Sequence, residues 1–154
     1  MNISARTDYA IRALLTLASA QCAGSQPVSA ESLAATQQLP KKFLEAILVD
    51  LKRGGLVNSR RGSAGGYSLA APAEQITLGA VVRIVDGPLA EVRGVRPQNA
   101  EYVGDAEHLP VVWVALRASL RSVLDEVTLG AVLRGDMPAH VRALAQQPDA
   151  WRNR

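Results

Sequence analysis

Residues 56–70 read LVNSRRGSAGGYSLA, and the fold turns on how they are read. A short apolar run, a loop with two arginines and three glycines, and a second run from Tyr67 to Ala70 form the pattern of strand, turn and strand. Glycine supplies the positive φ that a hairpin tip requires. Two other glycine-rich devices fail on context. A phosphate loop needs Gly-Lys-Ser/Thr opening a helix, and a dinucleotide fingerprint needs a strand followed by a helix, whereas a strand follows here. An ordinary structural hairpin is the remaining alternative, and what precedes the stretch bears on the choice.

Upstream, Ala10, Ala13, Leu14 and Leu17 recur at helical spacing, with Ser4 available as N-cap, predicting a helix over about residues 4–22. Gly24 to Pro27 breaks it. Ser29 then caps a short helix, AESLAATQ, with Glu31 in its first turn, where the helix dipole favours a carboxylate. Pro40 suits a first helical position, although Leu39 is a poor cap. Leu44, Ile47, Leu48 and Leu51 make one apolar stripe ending at Gly54-Gly55. Two helices joined by a short turn are a helix-turn-helix, and the second presents Lys41 and Lys42 at its N-terminus, where a recognition helix meets base edges and phosphates. A hairpin directly after such a unit reads as a wing, with Arg60 and Arg61 placed to follow a phosphate backbone or enter a minor groove.

Downstream, Thr77 caps a short helix, LGAVVRIVDG, ended by Gly87-Pro88. Residues 88–109 form a long irregular stretch, of a length that suggests function or mobility. In LPVVWVALRASLRSVLDEV, residues Trp113, Leu116, Leu120, Val123 and Val127 fall at alternating spacings of three and four, a heptad seam two repeats long. A core-facing helix is one reading, and a dimerisation helix presenting two recognition helices to a two-fold operator is the other. Thr128 starts another short helix, LGAVLRG, and residues 138–154 read as a loosely held polar tail containing Trp151.

The chain of 154 residues carries 17 basic and 14 acidic side chains, a net charge of +3. Residues 41–61 hold +4 of this in 21 residues, leaving −1 elsewhere. A basic patch on a near-neutral body is the electrostatic footprint of a nucleic-acid binder, the alternative being a solvated charged surface. No apolar stretch approaches the roughly 20 residues of a spanning helix, and the first residues lack the pattern of a signal peptide. The single cysteine, Cys22, forms no internal disulfide, so a reducing cytoplasm is the expected location.

The segments TDYAIRALLTLA, FLEAILVDLKRGGLVNSRRGSAGGYSLA and ITLGAVVRIVDG resemble, in order and spacing, the Rrf-type family of bacterial winged-helix regulators. Its members include the iron-sulfur cluster regulator, the nitric-oxide-sensing repressor and the cysteine-metabolism repressor. The likeness covers about residues 2–134 and is most specific in the Leu-Glu pair of the recognition helix and in Arg-Gly-x-x-Gly-Gly-Tyr. It implies a mainly α fold with a small β-hairpin wing. A winged helix-turn-helix domain would span 1–72. A segment over 73–134 would hold a linker helix, an effector-type loop at 88–109 and a dimerisation helix at about 110–127, and a tail would occupy 135–154. The implied protein is a homodimer that binds an imperfect DNA palindrome and represses.

Carried over by position, Arg61 matches the wing arginine, and Gly65, Gly66 and Tyr67 match the wing tip. Lys41, Lys42 and Phe43 stand at the start of the recognition helix. Glu45 matches a glutamate implicated in sequence choice, since a carboxylate accepts from cytosine N4 and repels phosphate. Arg6 matches a basic residue placed for a phosphate contact. Ser29, at the cap of the second helix, and Ser59 and Arg60, on the approach to the wing tip, complete the DNA-facing set.

The chain departs from the pattern in one place. Cluster-binding members have three cysteines in the loop before the long helix, and PLAEVRGVRPQNAEYVGDAEH has none. His108 lies near a histidine ligand of one member, but without thiolates it makes a poor iron-sulfur site, so no cofactor is expected. Glu101, Asp105, Glu107 and His108 read either as ligands for a hard metal or as a solvated acidic loop. Cys22 reads as a redox sensor or as a structural small residue. Two function classes compete with DNA binding. One is a protein-interaction module, and the other is an enzyme, for which neither His108 nor His140 has a nucleophile or paired carboxylate at a recognisable spacing. A small-molecule effector would fit between the DNA-binding unit and the long helix, near Trp113.

Overall fold

The computed structural model describes residues 2–25 and 27–152. Helix α1 (Ala5–Cys22) opens with the Ser4 side chain accepting from the Thr7 amide at 3.0 Å, and it buries Ala10, Ala13, Leu14, Leu17 and Ala18 on one face. Around it pack α2 (Ala30–Gln37), α3 (Lys41–Arg53), α4 (Leu78–Val85) and α6 (Leu129–Arg134). Ser29 caps α2 as expected, and Gln38 ends it in the left-handed region, at φ 54°. Pro40 sits one position earlier than the sequence suggested. It is the N-cap of α3, without a side-chain bond, while Leu39 is buried in the core.

The hairpin pairs β1 (Val57–Arg60) with β2 (Gly66–Leu69) in antiparallel register, Val57 opposite Leu69 and Arg60 opposite Gly66. Val57 and Leu69 anchor its base in the core. A third segment joins it, because Val28 and Tyr67 exchange backbone hydrogen bonds of 2.9 and 2.7 Å. The chain just before α2 therefore lies along the free edge of β2. Gly66 makes this approach possible: its φ is +147°, and a Cβ there would collide with the Val28 carbonyl.

The core does not end at residue 72, where the sequence suggested a boundary. Ala73, Ile76, Val81 and Leu129 belong to the same buried cluster as α1. Residues 74–83, EQITLGAVVR, and 125–134, DEVTLGAVLR, are near-repeats, and they pair about a local pseudo-two-fold axis. Thr77 bridges Thr128, the Leu78 amide donates to the Val127 carbonyl, and the Leu129 amide donates to the Ile76 carbonyl, both at 2.9 Å. Each threonine caps its own helix, accepting at 3.1 Å from Ala80 or Ala131. The ion pairs cross between repeats: Arg83 to Asp125 and Arg134 to Glu74, both at 2.7 Å. Gly79 and Gly130 are the close-approach points, where a Cβ would strike the Asp125 and Glu74 carboxylates respectively. At the far end of α4, Asp86 accepts from the Ser4 and Thr7 hydroxyls, which satisfies the buried Thr7 and sets a carboxylate at the N-terminus of α1.

Helix α5 (Leu109–Leu124) is the long helix of the C-terminal half, and none of its residues is buried. The expected seam is corrected at its last member. Val127 lies beyond the end of α5 and is 3% exposed, enclosed within its own chain at the repeat bridge. Trp113, Leu120 and Val123 are half-buried and Leu116 is exposed, whereas Val111 at 71% and Val112 at 54% are the most open large apolar residues of the helix. The tail over residues 138–152 has no buried residue. It holds helix α7 (Ala139–Ala145), with His140 Nε2 2.7 Å from the Ser122 carbonyl and Trp151 donating to the Ala145 carbonyl at 2.6 Å.

Candidate nucleic-acid interface

The buried stripe of α3, Leu44, Ile47, Leu48 and Leu51, fixes which face of the helix remains outside. That outer face carries Lys41, Lys42, Glu45, Val49, Lys52 and Arg53. Three contacts hold it in place. Arg6 of α1 pairs with Asp50 at 2.6 Å, Phe43 meets the Tyr9 ring edge-to-face with centroids 5.7 Å apart, and Lys41 lies 3.7 Å from Glu31 of α2. Arg6 and Phe43, expected among the DNA contacts, thus tie α3 to α1, Phe43 at the start of α3 and Arg6, through Asp50, near its end. The Lys41–Glu31 pair is exposed, and such pairs contribute little.

Lys52, part of the basic patch of residues 41–61 but not of the expected DNA-facing set, stands on the same outer face. Its Nζ donates to the Ser59 hydroxyl at 2.6 Å, joining α3 to β1. The signal was available, because Lys41, Glu45, Val49 and Lys52 follow a three-or-four spacing along one helix face.

The wing and the start of α2 together form a concavity of about 390 Å³, lined by Ser29, Ser59, Arg60, Arg61, Gly65, Gly66 and Tyr67. Seven of the expected residues therefore share one hollow, Ser29 joining six from residues 59–67. Ser29 Oγ accepts from the Ser32 amide at 3.1 Å, which leaves its hydroxyl proton directed elsewhere. Arg60 and Arg61 have no side-chain hydrogen bond or ion pair among the described residues. A helix N-terminus and two guanidinium groups around one hollow suit an oxyanion.

This two-helix and wing arrangement is shared with known proteins. The Rrf2 family profile, described as "Iron-dependent Transcriptional regulator", matches residues 3–135. The chain belongs to the Rrf2 family. A Mycobacterium tuberculosis protein named as an HTH-type transcriptional regulator is 46% identical over 145 residues, 94% of this chain and 89% of that one. The Bacillus subtilis regulator CymR is 33% identical over 130 residues, 84% of this chain and 87% of its own. The solved structure of B. subtilis CymR, titled the global cysteine regulator, aligns with a TM-score of 0.73 at 30% identity, over 88% of this chain and 98% of that one. T. potens IscR aligns with a TM-score of 0.70 at 28% identity, over 99% and 97%. The chain is accordingly an HTH-type transcriptional regulator of the Rrf2 family, with the winged helix-turn-helix fold.

The family description names iron, and the residues of this Rrf2 chain do not fit a thiolate-held iron centre. The 88–108 loop contains no cysteine, and Cys22 stands at the C-terminal end of α1. Glu101, Asp105, Glu107 and His108 are exposed. His108 lies 3.3 Å from Glu107, but no group of three or more His, Cys, Asp or Glu is placed to hold a metal among the described residues. The hard-metal alternative is therefore not supported. The loop is nonetheless packed: Pro97 and Ala100 are buried, Trp113 donates to the Tyr102 hydroxyl at 3.0 Å, and the Arg93 guanidinium lies 5.0 Å from the Tyr102 ring centroid.

Proposed function

We propose that this regulator acts in the cytoplasm as a homodimeric, sequence-specific repressor of duplex DNA bearing an imperfect palindrome. The observation that carries the reading is the hollow where Arg60 and Arg61 meet the start of α2, tied through Lys52 and Ser59 to the exposed face of α3. In this reading α3 enters the major groove, where Glu45 selects bases and Lys41 and Lys42 meet phosphates. The wing arginines follow the backbone, with Ser29, Gly65, Gly66 and Tyr67 shaping the approach. Arg6 acts by holding α3 through Asp50. Dimerisation is supported by α5, a helix of 16 residues with no buried residue and with Val111, Val112 and Leu116 exposed. A helix that buries no face of its own gains most of its stability from a partner. Two copies paired there would present two recognition helices to a two-fold site.

Control by a small molecule belongs to the same proposal. The 88–98 loop and α5 border a cavity of about 370 Å³ with Val92, Pro97, Trp113 and Leu116 in its lining. The test is anisotropy titration against DNA from upstream of the gene and a scrambled control, over several salt concentrations. The expected result is sequence-selective binding that weakens steeply with salt, because neutralised phosphates release counterions. Binding indifferent to both sequence and salt, together with a protein partner retained after nuclease treatment, would favour a protein-interaction module instead.

A further inference from the structure

A third and larger cavity, about 640 Å³, lies between α4, the 88–98 loop and α5, and four arginines line it: Arg83, Arg96, Arg117 and Arg121. Asp125 is the only carboxylate in that lining, so the cavity carries a formal charge of +3. Asp125 is already committed. It accepts from Arg83 at 2.7 and 2.8 Å and lies 3.3 Å from Arg121 Nε. Arg117 donates only to the neutral Gln98 side chain, and Arg96 has no side-chain hydrogen bond or ion pair among the described residues. Arg117 and Arg121 are also one helical turn apart on α5, a like-charge spacing that disfavours the helix unless an anion lies between them.

We propose that this cavity is a second effector site of the regulator, separate from the apolar one beside Trp113, and that it takes a small molecule bearing at least two anionic groups, a di- or tricarboxylate or a phosphate ester. The inference rests on the regulatory reading above but concerns a ligand that reading leaves unspecified. Guanidinium groups from three elements converge on one hollow, and each offers paired donors matched to carboxylate or phosphate oxygens. One anionic group would bridge Arg96 and Arg117, which no carboxylate satisfies. The other would compete with Asp125 for Arg121 and Arg83. A ligand so held cross-links α4, whose Val81 belongs to the core around α1, to the exposed α5.

The experiment is calorimetric titration of the full chain, without DNA, with citrate and separately with pyrophosphate, using sodium chloride at matched ionic strength as the control. Saturable binding of at least one probe is expected, and the probe that binds assigns the carboxylate or the phosphate class. Arg96→Ala and Arg117→Ala should each weaken it about tenfold or more. Arg61→Ala should leave it unchanged, because the wing is a separate basic surface. The Arg96 side chain has no hydrogen bond or ion pair among the described residues, so its variant should melt like the parent, which keeps the test valid if Arg117→Ala is destabilised. The proposal is overturned if neither probe saturates in the millimolar range, or if Arg61→Ala rather than Arg96→Ala abolishes binding. It is also overturned if Arg96→Ala weakens DNA binding in buffer free of both probes, which would make the cavity a phosphate contact. A failed DNA titration with intact citrate or pyrophosphate binding would instead count against the DNA reading alone.

Discussion

Arg83 of α4 grips Asp125 through two parallel hydrogen bonds of 2.7 and 2.8 Å, and Arg134 of α6 reaches back to Glu74 at 2.7 Å, so each near-repeat supplies the arginine for the other's acid. The crossed pairs flank a bridge whose backbone bonds join residues 76–78 to 127–129. They place the end of α5 against α4, and through α4 against the DNA-binding unit.

The Arg83 and Arg121 guanidinium groups hold the Asp125 carboxyl below its usual value, the Arg83 hydrogen bonds being the largest cause and outweighing partial burial. A carboxylate with a depressed folded pKa contributes stability that is present above its unfolded pKa and is lost as pH falls through the folded value. Asp125→Asn is therefore expected to lower the melting temperature at pH 7 by an amount equivalent to about 1 kcal/mol or less, because the pair is partly exposed. The difference from the parent should shrink below about pH 4, where the unfolded carboxyl is protonated. Melts at both pH values check this, and a constant difference would refute it.

Leu129 is fully buried although it lies 57 residues past the boundary suggested at residue 72. Leu129→Ala should cost about 2–5 kcal/mol. Because Leu129 shares its core with α1, urea unfolding followed by helix content should move as one transition. A separate early transition confined to the C-terminal half would show that the halves are independent.

At the wing, Arg61→Ala is expected to weaken operator binding by about 1–3 kcal/mol if the side chain reads a groove. Contact with phosphate alone would instead reduce the salt slope by about 1. Arg61 is exposed, so the melting temperature should not move. Anisotropy titration at several salt concentrations distinguishes the two roles, and unchanged affinity and slope would remove Arg61 from the interface.

Gly66→Ala puts a Cβ against the Val28 carbonyl at φ +147°. A cost of about 1–3 kcal/mol is expected from backbone strain of this kind. Because Val28 pairs with Tyr67 just before α2, loss of hydrogen-exchange protection should centre on those two amides. Protection unchanged at Tyr67 would refute the pairing.

Val112→Asp places a charge on the open face of α5, where Val112 is 54% exposed and contributes nothing to the core cluster. Sedimentation should show the mass falling from dimer to monomer, with helix content retained and operator affinity lost. A monomeric parent would refute the assignment of α5 as the dimer interface.

Local chemistry alone determined much of this protein. The 3.6-residue spacing of Ala10, Ala13, Leu14 and Leu17, the caps at Ser4, Ser29, Thr77 and Thr128, and the glycines between Arg61 and Tyr67 each act on neighbours a few residues away. Such signals are therefore legible in the chain itself. The basic charge of residues 41–61 was equally open to view. Tertiary packing decided the rest. It drew Val127 off the heptad seam and into the bridge between repeats, paired Lys52 with Ser59, and brought Arg83, Arg96, Arg117 and Arg121 to one cavity. The repeat TLGAV was visible, but which copy would pair with which acid was not. A contact between residues some 40 to 60 positions apart depends on how whole helices pack, and no short-range periodicity encodes that.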